Sequence, residues 1–84
     1  MLGVEKVITA FVLLKVKRGG ELNITDSIKK MSEVQDVSLL YGEYDAILKI
    51  KTKTMESLQD FLVNKLRRVE GIDKTATLIS NNPV

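Results

Sequence analysis

Asp45 follows Gly42 and Tyr44 in the segment LLYGEYDAILKIK (Leu39 to Lys51), a carboxylate set immediately before the apolar Ala46, Ile47 and Leu48. A turn explains the glycine but not the aspartate. Without a Cβ, Gly42 lets an incoming carboxylate approach the N–H groups of the turn backbone closely, and Asp45 can pair with an ammonium group. Further on, Thr75 and Thr77 in KTATLIS offer hydroxyls that both donate and accept hydrogen bonds. The same residues also fit a plain sheet end: Gly42 makes the turn, Tyr44 pairs with Tyr41, Asp45 sits in solvent, and threonines suit an edge strand. Taken alone, the residues leave both readings open.

Other chemistries are excluded more firmly. The chain has no Cys and no His, which removes thiolate nucleophiles, imidazole bases, disulfides and the usual zinc ligand sets. No catalytic residue, metal site or cofactor is expected. Thirteen basic residues against eleven acidic ones form a balanced mixture without a polybasic block, so direct nucleic-acid binding is not expected. An RNA-binding sheet would display stacking aromatics on its central strands, and only Phe11 qualifies. The N-terminus lacks the pattern of a cleaved leader, and its apolar run is too short and too lysine-interrupted to cross a bilayer. A cytoplasmic location without membrane attachment is the expectation.

The 84 residues, 44% hydrophobic and 29% charged, suit one folded domain over 1–84. A domain of this size buries only about 60% of the surface its unfolded chain exposes. Its core is thin, so self-association helps.

Along the chain, ITAFVLLKVK (Ile8 to Lys17) reads as a strand ended by Gly19 and Gly20. In ELNITDSIKKMSEV, Ile24, Ile28 and Met31 form the stripe of a surface helix, with Thr25 and Asp26 near its positive end. VQDVSLLYGEYDAILKIK reads as a hairpin turning at Gly42 and Glu43. That register pairs Leu40 with Asp45, Ser38 with Ile47 and Asp36 with Lys49. TMESLQDFLVNKLRRVEG is the clearest helix, with Thr54 as cap, Glu56 in the first turn, Arg67 and Arg68 in the last, and a buried stripe of Leu58, Leu62, Leu66 and Val69. KTATLIS is a final strand before the polar NNPV tail.

The order β-α-β-β-α-β with right-handed crossovers predicts an α+β, ferredoxin-like sandwich: a four-stranded antiparallel sheet with both helices on one face. The first and third strands should be central, since FVLLKV and AILKI are more apolar than the other two. Alternation assigns Val12, Leu14, Val16, Val37, Leu39, Ala46, Leu48, Ile50, Ala76 and Leu78 to the helix side. Phe11, Leu13, Leu40, Ile47 and Ile79 then fall on the open side, with Ser38, Asp45, Thr75 and Thr77 around them. Each large apolar side chain left in water there forgoes roughly 1.5–3 kcal/mol of burial. A contiguous patch of this kind marks an interface, so the expectation is a homodimer joined through Phe11, Leu13, Leu40, Ile47 and Ile79, with lysines at its margin.

The G-x-Y-D turn (Gly42, Tyr44, Asp45) and the T-x-T strand (Thr75, Thr77), placed in this frame, resemble the ligand-sensing module of the Lrp/AsnC family, the RAM domain (regulation of amino acid metabolism). The resemblance covers nearly the whole chain. It implies a non-enzymatic module in transcription regulation that senses an amino acid. It also implies face-to-face dimers assembled into rings, commonly octamers, with the effector held between neighbouring dimers near the turn. Gly42, Tyr44, Asp45, Thr75 and Thr77 are the ligand-binding candidates it carries over. Family members place a helix-turn-helix before the module, whereas this chain opens on the first strand. The resemblance is therefore to a stand-alone RAM protein, which binds effectors or co-assembles with helix-turn-helix Lrp/AsnC regulators. Two other readings stay beside it: a small dimeric α/β-barrel enzyme built on the same paired sheets, and a structural partner subunit that needs no ligand.

Overall fold

The computed structural model describes residues 7–18 and 21–80, without the side chains of 21 and 22. The Gly19–Gly20 breaker and the NNPV tail lie outside the described residues. The elements are β1 (Ile8–Val16), α1 (Glu21–Lys29), β2 (Val34–Leu39), β3 (Ala46–Thr52), α2 (Met55–Asp60) with a π-helical continuation (Phe61–Leu66), and β4 (Ile72–Ile79). All strand pairs are antiparallel and the sheet order is β2-β3-β1-β4, so the two most apolar strands are central. A strand buried from both sides makes the most of Val, Ile, Leu and Phe.

Both helices cover one side of the sheet. Ala10, Val12 and Leu14 of β1 and Ala46, Leu48 and Ile50 of β3 are buried there against Ile24 and Ile28 of α1 and Leu58, Phe61 and Leu66 of the second helix. The predicted stripe of α1 is present, although the helix ends at Lys29 and Met31 packs half-buried from the following turn. The hairpin register also matches, with Asp36 opposite Lys49 and Ser38 opposite Ile47.

The second helix departs from the expected stripe. Thr54 caps it as expected, its hydroxyl accepting from Ser57 N–H at 3.0 Å. From Phe61 the hydrogen bonds widen to i→i+5, as when Arg67 N–H donates to the Leu62 carbonyl at 3.1 Å. Each turn then holds more residues than in an α-helix, which brings Phe61 and Leu66, five apart, onto the same buried side. Phe61 is wholly buried, whereas Leu62 and Val69 are only half-buried and Val63 is exposed.

The strand β4 corrects the face assignment. Its register against β1 slips between Lys15 and Val16: Lys15 faces Lys74 while Val16 faces Ile72, leaving Asp73 as an extra residue. Such a bulge reverses alternation beyond it. Thr75, Thr77 and Ile79 therefore pair with the buried Leu14, Val12 and Ala10 on the helix side, while Ala76 and Leu78 pair with Leu13 and Phe11 on the open side. Ile79 does not belong to the open-face patch, and Leu78, 58% exposed, takes its place. Phe11, Leu13 and Ile47 are on that face, half-buried within the chain, and Leu40 follows on the same side by alternation.

Two contacts fasten the periphery. Gly71, at φ +99°, ties down the sheet end, its carbonyl accepting from Lys17 N–H at 2.7 Å. A Cβ there would stand 2.7 Å from Cδ1 of the buried Ile24. Glu33, in the α1–β2 turn, receives a 2.7 Å hydrogen bond from Lys65 of the second helix, which holds its carboxyl below the usual carboxylate range.

Gly71→Ala should lower unfolding stability by at least about 1–2 kcal/mol through the left-handed backbone alone, read from urea melts. Glu33→Gln should cost at most about 1 kcal/mol near neutrality, since the pair is largely in solvent. Because folding lowers the Glu33 pKa, this difference is full above the carboxylate's unfolded pKa and vanishes as pH falls through the folded one. Melts repeated at neutral and acid pH should show parent and variant converge on acidification.

Candidate ligand site at the hairpin and the helix groove

The sheet itself determines where Asp45 sits. The paired part of β1 and β3 ends at Leu14 and Ala46, after which Asp45 N–H donates to the Leu14 carbonyl at 2.7 Å. The Asp45 carbonyl in turn accepts from Leu40 N–H at 2.9 Å, so its backbone links β1 and β2. Oδ2 of the side chain accepts from Val16 N–H at 2.9 Å. Where β3 turns away, the carboxylate thus supplies the acceptor that the next residue of a longer strand would have provided. Asp45 is half-buried and fixed, not a solvated charge at a loose sheet end. An ionised carboxylate has about four acceptor positions, so the bond to Val16 holds it in place and leaves it able to accept from a ligand.

Tyr44 is half-buried beside it, and its ring lies 5.8 Å from the Lys74 ammonium, within cation–π range. Lys74 is directly opposite Lys15 on the open side of the sheet. Like charges so placed repel, and the Tyr44 ring offsets part of that repulsion. Gly42 adopts φ +135°, and a Cβ built on it would meet nothing within 4 Å. The turn therefore needs glycine for its backbone and leaves that backbone open to approach. Tyr41 beside it is fully exposed.

Thr75 and Thr77 lie elsewhere. They line a groove of about 350 Å³ between the second helix and β4, together with Gln59, Leu62, Val63, Leu66 and Arg67. Within one chain, the five candidates therefore separate into a hairpin group (Gly42, Tyr44, Asp45) and a helix-side pair (Thr75, Thr77). Sequence reasoning missed Gln59 and Arg67, which bring an amide and a guanidinium to the groove. A Leu-Val pair about one helical turn before an arginine was the available signal. The widened turn that aims them has no pattern of its own. A guanidinium, an amide and two hydroxyls over an apolar floor can hold an amphiphilic group with an anionic end. Among the described residues no cluster of acidic side chains could hold a metal ion, and no described helix is long and apolar enough to cross a membrane.

This geometry has known counterparts. The model of the Lrp/AsnC ligand binding domain matches residues 9–84. The HTH-type transcriptional regulator FL11 of Pyrococcus furiosus is 38% identical over 72 residues, which are 86% of this chain and 47% of that protein. The chain thus spans about half the length of the curated relatives it matches. The crystal structure of FFRP-DM1 superposes with a TM-score of 0.85 at 36% identity, covering 87% of this chain and 97% of that one. A hypothetical protein, PHS023 from Pyrococcus horikoshii, gives a TM-score of 0.85 at 34% identity, covering 90% and 92%.

Asp45→Ala should leave the half-buried Val16 N–H without its acceptor and cost about 1–3 kcal/mol. Asp45→Asn, which keeps an amide oxygen in reach, should cost less. Thermal melts of the two variants beside the parent check this ordering.

Proposed function

Because the chain belongs to the Lrp/AsnC ligand-binding-domain family, we propose that it is a non-enzymatic effector-binding and assembly module of transcription regulation, and that its ligand is an amino acid held at the Gly42–Asp45 hairpin between dimers. The observation that carries the reading is the fixed carboxylate of Asp45, 2.9 Å from Val16 N–H, beside the open, positive-φ backbone of Gly42. A carboxylate acceptor and accessible N–H groups a few residues apart complement the two charged ends of a zwitterion. Pre-placement by Val16 lowers the ordering cost of binding. A small zwitterion offers few atoms and carries two desolvation costs, so affinity falls in the range of roughly micromolar to millimolar.

Dimers form through the open side of the sheet, with Phe11, Leu13, Ile47 and Leu78 at the seam, Leu40 toward its end and Lys15, Lys49 and Lys74 at its margin. A ligand seated between dimers favours the assembly that completes its site. Co-assembly with helix-turn-helix relatives such as those the chain resembles gives such a shift a route to DNA.

A thermal-shift screen over the standard amino acids should reveal at least one that raises the melting midpoint, since a ligand specific for the native assembly stabilises it. Calorimetry with that amino acid should then show markedly weaker binding to Asp45→Asn. Equal affinity for variant and parent would remove Asp45 from the site. Sedimentation at micromolar concentration should give at least a dimer for the parent and a monomer for Ile47→Glu. A monomeric parent would reject the sheet-to-sheet dimer.

A further inference from the structure

We infer that Lys15 and Lys74 form a carboxylate site beside the hairpin, so that the amino acid taken there is an acidic one, its side-chain carboxylate resting between the two ammonium groups. The choice of an amino acid rests on the reading of Asp45 as the partner of an α-ammonium group.

Charge pairing in the sheet points to the site. Between β2 and β3, Lys49 has Asp36 opposite it, a favourable cross-strand pair. Between β1 and β4, Lys15 has Lys74 opposite it, the one like-charge pair in the described registers. Directly opposed residues hold their Cβ atoms about 4.5–5.5 Å apart, so both ammonium groups can reach a single anion. Neither lysine makes an ion pair with a described residue. Lys15 is half-buried, where water screens the repulsion less than it does between exposed groups.

The pair adjoins the hairpin on two sides. The Tyr44 ring lies 5.8 Å from the Lys74 ammonium. Asp45 is the next residue, and its carboxylate accepts at 2.9 Å from the N–H of Val16, the residue after Lys15. One corner of the sheet thus holds a fixed carboxylate, the open turn backbone at Gly42 and two cations.

Counting charges decides the ligand class. Asp45 takes the ammonium of an amino acid and the turn backbone takes its α-carboxylate, which leaves Lys15 and Lys74 without an anion. A neutral side chain leaves them so, and a basic one adds a further cation. A side-chain carboxylate offsets their repulsion and accepts from both, since each ammonium is a compact charge with rotatable donors on a flexible stem.

Calorimetry on the intact chain with L-glutamate, L-aspartate, their amides, L-leucine and L-lysine tests this. An acidic amino acid should bind at least about tenfold more tightly than its amide, which lacks the charge-assisted bond. Lys74→Gln and Lys15→Gln should each abolish that preference by weakening the acid while leaving the amide within about twofold. Circular dichroism and sedimentation without ligand should match the parent for both variants. A parent that prefers an amide, leucine or lysine, or a preference for the acid that survives in both variants, would overturn the inference. So would loss of the parent's mass in Lys74→Gln without ligand, because the lysines would then serve a contact between subunits. If the tightest ligand is not acidic yet weakens with Asp45→Asn, this inference fails and the effector reading survives. If no amino acid binds but glutarate, a dicarboxylate without an ammonium, binds the parent and not Lys74→Gln, the lysine site stands and the amino-acid reading fails.

Discussion

The pairing of β1 with β3 at the centre of the sheet is the interaction on which the remaining structure depends. Both strands are apolar on alternate residues in each direction, so they bury the most surface only when flanked by other strands and covered from both sides. The helices cover one side, and that layer of Val12, Leu14, Leu48 and Ile50 against Ile28, Leu58, Phe61 and Leu66 is the core. The other side carries Phe11, Leu13 and Ile47, which no described element covers within the chain. In a domain too small to hold a thick core, the proposed dimer would cover them.

The central pair also sets the chemistry at its end. Where β3 departs, β1 is left with the Val16 N–H, and Asp45 meets it with a carboxylate. The residue that resembles a ligand contact is thus a structural one too. The proposed ligand contact is compatible with this: a backbone bond to one carboxylate oxygen restricts the side chain's rotamers, which would lower the ordering cost of binding a ligand there. On the opposite strand pair, the bulge at Asp73 turns Thr75 and Thr77 toward the helices, and the widened turn at Phe61–Leu66 shapes the groove they line. Bulges and π turns both carry one residue more than the regular repeat, and each redirects the side chains that follow.

Much of this was legible beforehand because it rests on local periodicity. The stripe Ile24, Ile28 and Met31, the cap at Thr54, the glycine turn at Gly42 and the pairing of Asp36 with Lys49 all follow from spacing and turn chemistry, and the structure shows each of them. The failures differ in cause. The stripe with Leu62 and Val69 in place of Phe61 carries the regular helical spacing through the widened turn at Phe61–Leu66, and Ile79 is set on the open face in place of Leu78 because alternation within KTATLIS gives two faces but not which of them meets the helices, a choice made by the register of β4 on β1. A phase error of one residue moves every later side chain to the other face.

The sequence by itself determined the element order, the central placement of β1 and β3, the apolar character of both sheet faces and the family resemblance carried by the G-x-Y-D and T-x-T motifs. Those features depend on residue type and on spacing within one element, which a linear reading contains. Only the tertiary structure decided that Asp45 closes the end of β1, that Tyr44 lies by Lys74, that the threonines face the helices and that Gln59 and Arg67 share their groove. Each of these joins residues far apart in the chain through a register, and a register is set by packing between elements and by the irregularities it imposes, not by any segment alone.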